Sequence, residues 1–303
     1  MIELCPRPPF RLDLTAWALR RRSRNRIDRW DGTYRRALNV GDRAVTVEVC
    51  QRGGCDEPRL TVSVPTASGL VPSETASIES QLTRMLGTAV DLDGFYELAD
   101  RDPRVGPLAH RLLGVRPPRF PTLFEALVNA IANQQISLEV GIELLNRLTE
   151  RFGMRPDDDC GLVAFPEPAS VLGGSIGELR AMGFSTRKAE YIFASAAAIE
   201  TGAIDEAELA ALDRAAATTT LVGLRGIGRW SAEYVLLRGL GNLEVFPADD
   251  VGARNKLETF FSLSAAPTRE QILTLMEPWH PYAGMIYFHL LLDGLAVRGE
   301  IDV

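Results

Sequence analysis

The chain has 303 residues, 46% of them hydrophobic and 24% charged, which is an ordinary composition for a globular protein with one large or two medium domains. Its net charge of −7 argues against a nonspecific binder of polyanions, and no apolar run approaches the roughly 18 residues that a membrane helix needs. The amino terminus lacks a signal-peptide pattern, so we expect cytoplasmic residence.

The first hundred residues predict a small α+β unit. Hydrophobic and polar residues alternate in AVTVEV (44–49) and LTVSV (60–64), with turns at NVGD and RGG, which is typical of an antiparallel meander. A helix follows, for which we expect Ser73 as the N-cap and an apolar face of Ile78, Leu82 and Leu86. The arginines at positions 20, 21, 22, 24, 26 and 29 form a basic run, and its plain structural interpretation is a solvated strand edge.

Residues 101–119 are rich in turn residues and predict a connector. From Phe120 to the end the pattern is helical, with about eight helices, one of which ends at Gly153. The sequence therefore predicts an α+β fold in two parts. An N-terminal antiparallel-sheet and helix domain spans residues 1–105, and an all-α domain spans residues 106–303.

Two glycines, Gly226 and Gly228, flank Ile227 between two predicted helices, the first ending at Leu224 and the second beginning at Arg229. Glycines permit a tight turn and leave backbone N–H groups exposed at the start of the second helix, where the helix dipole favours an anion. Such a helix-hairpin-helix binds a DNA phosphate through main-chain amides, which an acidic protein can do without many lysines. An ordinary turn between packed helices is the alternative.

Asp249 and Asp250 follow Pro247, 22 residues after Gly228 in the case of Asp250, at the predicted start of another helix. The simple interpretation is an N-cap and a first-turn acid. The other is a carboxylate that faces the phosphodiester held by the hairpin.

The stretches GIGRWSAEY and FPADD together resemble the helix-hairpin-helix DNA glycosylase superfamily, and most closely its bacterial DNA-3-methyladenine glycosylase II family. The resemblance extends to FPTLFEALVNAIANQQIS, ELRAMGFSTRKAEYI and EPWHPYAGMIYFHLL, and so covers nearly the whole chain. It implies an all-α glycosylase core that extrudes an alkylated base from damaged double-stranded DNA and hydrolyses its N-glycosidic bond. It also implies that the enzyme acts as a monomer.

By this resemblance Asp250 is the catalytic carboxylate, which stabilises positive charge developing on the sugar, and Asp249 is its structural neighbour and the helix cap. Relatives that also cut the strand carry a nucleophilic lysine two residues after the second hairpin glycine. Trp230 stands there, and the chain has only two lysines, Lys188 and Lys256. We therefore expect a monofunctional enzyme without lyase activity.

Trp230 and Tyr234 are four residues apart and share a helix face, either as core aromatics or as a wall on which the extruded base stacks. The family has a tryptophan two residues after a histidine in its last helix. Leu291 stands at that position after His289, which leaves the range of accepted bases open. Gln135 matches the residue that the family inserts into the gap in the DNA, and a plain turn glutamine is the alternative.

The resemblance further assigns phosphate contacts to main-chain groups of Gly226 and Gly228 with Ser231, around the buried Ile227. It assigns a monovalent cation, K⁺ or Na⁺, to the carbonyls of Val222, Leu224 and Gly226.

No cofactor is expected for catalysis. The four cysteines, Cys5, Cys50, Cys55 and Cys160, lack metal-ligand spacing and do not cluster near the carboxyl end, so we expect free thiols and no iron–sulfur cluster. Two further functions stay open: a glycosylase for oxidised or deaminated bases, and a noncatalytic helix-hairpin-helix DNA-binding module.

Overall fold

The computed structural model describes residues 2–65 and 69–303, and within them it has one sheet and a set of α-helices. The strands are β1 Ile2–Leu4, β2 Arg29–Trp30, β3 Tyr34–Val40, β4 Arg43–Arg52 and β5 Arg59–Ser63. The first helices are α1 Leu12–Arg20, α2 Pro72–Leu86, α3 Asp93–Arg101, α4 Val105–Arg111, α5 Leu123–Asn133, α6 Leu138–Phe152, α7 Pro168–Leu172 and α8 Ile176–Ala181. The others are α9 Thr186–Glu200, α10 Glu206–Ala211, α11 Arg214–Val222, α12 Arg229–Val235, α13 Val251–Phe260, α14 Arg269–Met276 and α15 Ala283–Val297.

The sheet is antiparallel, with the strand order β1-β5-β4-β3-β2. Val45, Val47 and Val49 of β4 are buried and belong to the same apolar cluster as Ile78 and Leu82 of α2. The two predicted strands, their turns and the helix after them are confirmed, and so is the α+β fold class.

Two details of this part differ from the prediction. Ser73 is not the N-cap of α2, because Pro72 takes the first helical position and Val71 is the cap residue, with its N–H donating to Glu74 Oε2 at 2.9 Å. Helix α1 was not predicted. The arginine run extends from Arg20, the last residue of α1, to Arg29 of β2, and the strand-edge interpretation is wrong for Arg21, which is 5% exposed.

The predicted connector 101–119 is also wrong in part, because it contains α4 and buries Leu108, Leu112 and Val115. These residues and Phe95 of α3 belong to the apolar core of the helical part. The boundary at residue 105 stays a prediction. The prediction of about eight helices was too low, because several helices have only five to seven residues and carry no periodicity of their own.

Helix α5 lies at the centre of the helical part, where it packs against α6, α9 and α12. Nearly all of its residues are buried, and Thr122 caps it by accepting a hydrogen bond from the Glu125 N–H at 3.1 Å. In the part of the chain that the structure describes, we find no helix with both the length and the apolarity needed to cross a bilayer.

A buried ion cluster joins the sheet to α5. The Arg36 guanidinium of β3 donates to Asp28 at 2.7 Å and to Glu125 of α5, and all three side chains are at most 3% exposed. The Tyr34 hydroxyl also donates to Asp28, at 2.7 Å. Burial opposes ionisation of Asp28, but the contacts with Arg36 and Tyr34 outweigh it and hold the pKa of Asp28 below its ordinary value.

We predict that Arg36→Met destabilises the protein by about 4 kcal/mol, because it leaves two carboxylates buried without their cation. Arg35→Met is the matched control on the same strand, since Arg35 pairs with Asp31 and Glu48 at the surface and its loss costs less than about 1 kcal/mol. Urea unfolding of both variants measures the difference. Equal losses would show that the buried cluster contributes no more than a surface pair.

Candidate functional site

The predicted hairpin is present between α11 and α12, although α11 ends at Val222, two residues earlier than expected. Gly226 has a φ of +90°, and a Cβ there would lie 2.2 Å from Cγ of the Tyr191 ring. Only glycine fits this position. A Cβ at Gly228 would meet nothing within 4 Å, so the backbone at the start of α12 faces open space.

Two residues of the hairpin are directed inward. Ile227 is 4% exposed, and its N–H donates to the Leu224 carbonyl at 3.1 Å. Ser231 is 2% exposed, and its hydroxyl accepts a hydrogen bond from Nε2 of Gln134 at 2.9 Å. Both side chains therefore hold the turn together.

Gln134 was missed by the sequence analysis, which assigned a role only to Gln135. Besides Ser231, the Gln134 Nε2 group donates to the Gly226 carbonyl at 2.8 Å, so this side chain ties the α5–α6 turn to the hairpin. Gln135 is exposed at the tip of that turn with a φ of +55°, a conformation that non-glycine residues rarely adopt. The adjacent glutamines thus have opposite orientations, which the sequence alone does not distinguish.

Asp250 lies at the N-terminus of α13, and each of its carboxylate oxygens has one partner. Oδ1 accepts from the Ala253 N–H at 2.8 Å, which makes Asp250 the N-cap. Oδ2 accepts from Nε1 of Trp230 in α12 at 3.1 Å. These two hydrogen bonds fix the carboxylate beside the indole ring.

The expectation that Asp249 is the helix cap is wrong, because Asp250 has that role. Asp249 forms an ion pair of 2.9 Å with Arg269, which also pairs with Glu233 of α12. Arg269 and Glu233 line a cavity of about 730 Å³ whose walls do not include Trp230 or Asp250. Asp249 therefore faces away from the indole.

Trp230 and Tyr234 stack, with ring centroids 5.5 Å apart and an interplanar angle of 29°. Trp230 is partly exposed, whereas Tyr234 is only 3% exposed. The aromatic face is therefore presented by Trp230, and Tyr234 supports it from behind.

Arg21, from the basic run, holds the Tyr234 ring in place. Its guanidinium donates to the Tyr234 hydroxyl at 2.9 Å and to Oδ1 of Asn129 in α5 at 2.7 Å. The N-terminal segment therefore takes part in the site, and the sequence analysis missed both Arg21 and Asn129. A single arginine within a run of six carries no signal that distinguishes it from the others.

A second buried guanidinium, that of Arg238, lies 5.9 Å from the centroid of the Tyr234 ring and 5.0 Å from that of Phe120. Its one hydrogen bond within the described residues is to the Ala18 carbonyl, at 2.9 Å. Burial lowers the pKa of Arg238, and the nearby positive charge of Arg21 adds to that effect.

Helix α15 contributes Tyr287 to this region, another residue that the sequence analysis missed. Burial, followed by the charge of Asp250, raises the pKa of Tyr287 well above its ordinary value. Leu291 is 7% exposed and lies four residues further, on the same face of α15. His289 lies on another face, where its Nδ1–H donates to the Met285 carbonyl at 2.7 Å and its ring centroid is 4.9 Å from that of Phe95.

The chain matches known proteins in sequence and in structure. Residues 128–281 match the model of a family described as HhH-GPD superfamily base excision DNA repair protein. A Bacillus subtilis protein named DNA-3-methyladenine glycosylase is 31% identical over 201 residues, a match that covers 66% of each chain. The Escherichia coli protein named DNA-3-methyladenine glycosylase 2 is 26% identical over 86% of this chain and 85% of its own length.

Among solved structures, one described as a 3-methyladenine DNA-glycosylase from Archaeoglobus fulgidus superimposes with a TM-score of 0.83. That protein is 26% identical, and the match covers 96% of this chain and 97% of the other. The family resemblance inferred from the sequence is confirmed.

We predict that His289 makes the protein less stable as the pH falls from about 6.5 to about 4. Burial lowers the pKa of His289 to about 4, whereas an unfolded histidine titrates near its ordinary value of 6.5. The unfolded chain therefore binds the proton first, and the free energy of unfolding decreases by about 3 kcal/mol across this range. Urea titrations at each pH measure it. In His289→Gln the slope over this range becomes shallower than in the parent protein, and identical slopes in the two proteins would contradict the assignment.

Proposed function

Because the chain belongs to the HhH-GPD superfamily of base excision DNA repair proteins, we propose that it is a monofunctional DNA glycosylase for alkylated bases of the 3-methyladenine type. The observation that carries this proposal is the hydrogen bond from the Trp230 indole to Asp250. It places a fixed carboxylate at the edge of an exposed aromatic face. A base that stacks on Trp230 then has its sugar beside Asp250.

In this reaction the C1′–N bond breaks as positive charge develops on the sugar. The Asp250 carboxylate stabilises that charge electrostatically, and it orients or deprotonates the water that attacks C1′. Both of its oxygens are already positioned, one by the Ala253 N–H and one by Trp230, so little reorganisation accompanies the reaction. A free lone pair on each oxygen is left for the water and the sugar.

The Trp230 ring provides the stacking surface for the extruded base. Many alkylated purines are cationic, and an indole face attracts a cation more strongly than a neutral base. Such a base also leaves without prior protonation, so the site needs no strong general acid. We propose that Leu291 and Tyr287, which share a face of α15, also border the base site, since Tyr287 lies within electrostatic reach of Asp250.

One observation favours neutral lesions as a second candidate class. The guanidinium of Arg238 lies against the Tyr234 ring, and that of Arg21 binds the Tyr234 hydroxyl. Positive charge behind the aromatic stack weakens its attraction for a cationic base. An oxidised or deaminated base would not experience this penalty.

The hairpin and the α5–α6 turn that carries Gln135, which we call the wedge turn, are the proposed contacts with duplex DNA. A Cβ at Gly228 would meet nothing within 4 Å, which leaves room for a phosphate beside the first N–H groups of α12, while Gly226 forms the turn before them. Ser231, the other proposed phosphate contact, acts through its main chain, since its hydroxyl is held by Gln134. Gln135, exposed at the tip of its turn, is the residue that enters the gap left by the base.

A monovalent cation at the carbonyls of Val222, Leu224 and Gly226 fits this hairpin only in part. The Leu224 carbonyl already accepts from the Ile227 N–H, and the Gly226 carbonyl accepts from Gln134. Each retains a second lone pair. The cation would stiffen the turn and take no part in base release.

We also propose that the enzyme acts as a monomer.

We predict that Asp250→Asn lowers base release by about 100-fold or more, which is the loss expected when a preorganised group opposite developing charge is removed. The variant stays folded, because asparagine is as good an N-cap as aspartate. The measurement is chromatography of free bases released from methylated DNA, with 3-methyladenine and 7-methylguanine as the expected products. Binding to the same DNA should be retained.

Asp249→Asn is the matched control, with the same change of charge one residue away. Its Arg269 partner keeps the pair with Glu233, so we expect excision within a few-fold of the parent enzyme. Full activity in Asp250→Asn would refute the catalytic assignment. DNA binding by the parent without any base release would favour a noncatalytic module, and release of only oxidised or deaminated bases would favour the second lesion class.

We predict that the enzyme leaves an abasic site and does not cut the strand. Trp230 occupies the position of the lysine in bifunctional relatives, and its indole has no primary amine with which to form a Schiff base. Incubation of a labelled alkylated duplex without heat or alkali should give intact strands, and hot alkali should then cleave them. Prompt breaks at the lesion in the parent enzyme would contradict this prediction.

A further inference from the structure

A side-chain cradle lies over Gly294 of α15. A Cβ placed at Gly294 would lie 2.8 Å from Cε and 3.1 Å from Nζ of Lys256, and 3.7 Å from Nη1 of Arg298. Two cationic groups from α13 and the end of α15 therefore come within about 7 Å of each other over a residue without a side chain. Like charges this close repel unless an anion lies between them.

A third cation, Arg22, lies close enough to influence the other two. Burial, then the charges of Arg298 and Arg22, lowers the pKa of Lys256 to about 8. Burial and then Arg298 lower the pKa of Arg22 in the same way. The three groups thus form one cluster, which we call the cation cradle.

The counterions of the cradle are incomplete. Arg22 pairs with Glu139 at 2.7 Å, and Arg298 pairs with Glu300 at 2.9 Å. Lys256 forms no hydrogen bond or ion pair with the described residues, although Asp250 and Asp293 lie within electrostatic reach. Asp293 is itself paired with Arg111. Lys256 is therefore the member of the cradle that has no direct counterion among the described residues.

The position of the cradle indicates which anion it receives. Lys256 is six residues after Asp250 on α13, and the Glu139 partner of Arg22 is in the first turn of α6, directly after the turn that carries Gln135. The cradle is thus linked to both the carboxylate and the wedge turn.

We propose that Lys256, Arg298 and Arg22 form a subsite for a DNA backbone phosphate that flanks the extruded nucleotide, an assignment that rests on the proposed function. The phosphate lies where Lys256 and Arg298 converge over Gly294. The subsite adds side-chain contacts to the main-chain contacts of the hairpin, and its role is to place the sugar of the extruded nucleotide at Asp250.

The test uses duplex DNA with a tetrahydrofuran abasic analogue, which binds but cannot react. Lys256→Gln should bind this duplex about tenfold more weakly near 0.1 M salt, and the slope of log Kd against log salt should decrease by about one, as for one lost phosphate contact. Arg155→Gln is the control with the same change of charge. Arg155 lies beyond the C-terminal end of α6, about 20 Å along that helix from the wedge turn.

A second variant moves the amine without changing the charge. In Gly294→Ala the new methyl group would meet Cε of Lys256 at 2.8 Å, and that flexible end can shift away at little cost. Alanine is also the better helix former, so the variant should be at least as heat-stable as the parent. We expect it nevertheless to weaken binding to the abasic analogue several-fold.

Several results would overturn the proposal. Lys256→Gln could bind like Arg155→Gln, with an unchanged salt slope, or Gly294→Ala could bind like the parent. Borohydride trapping of the parent, but not of Lys256→Gln, on a natural abasic site would identify Lys256 as a nucleophile instead. Failure of the proposed function is distinguishable, since it would appear as no base release from methylated DNA by the parent enzyme, a result on which the binding measurements do not depend.

Discussion

The site depends on the hydrogen bond between the Trp230 indole and Asp250, because it makes the aromatic face and the carboxylate a single unit. A carboxylate that only capped α13 would be free to turn about its side-chain bonds. An indole without that acceptor would leave its polar N–H unpaired beside a partly buried ring, at a cost of about 1–3 kcal/mol. Each group therefore fixes the other, and this hydrogen bond sets the distance between the aromatic face and the carboxylate.

The positioning continues behind the ring into parts of the chain far away in sequence. Tyr234 stacks under Trp230, Arg21 binds the Tyr234 hydroxyl, and Asn129 binds Arg21 in turn. Because α5 is also joined to β3 by Arg36 and Glu125, the sheet and the aromatic stack share one buried polar framework. The N-terminal part is thus more than an appendage, since it supplies the group that holds the rear of the stack.

The sequence predicted the elements whose signals are local. Alternating residues located β4 and β5, and the paired glycines located the hairpin. The resemblance identified Asp250, though not that it also caps its helix in place of Asp249. Contacts such as Arg21 with Tyr234, 213 residues apart, leave no local pattern. Gln134 and Gln135 are chemically identical neighbours, and only the backbone conformation at the turn determines which one points to the hairpin and which to solvent.

The two lysines of this chain have different surroundings in the structure. Of 33 basic residues only Lys188 and Lys256 are lysines, and both adjoin the site. Lys188 Nζ donates to the Ala132 carbonyl at 2.9 Å, in the last turn of α5 before the wedge turn, where a cation also opposes the negative end of the helix dipole. Lys256 lies over Gly294, with Cε 2.8 Å and Nζ 3.1 Å from the position of a Cβ there. Arginine serves both at the surface and in buried clusters such as that of Arg36, whereas each lysine presents a compact point charge beside the site.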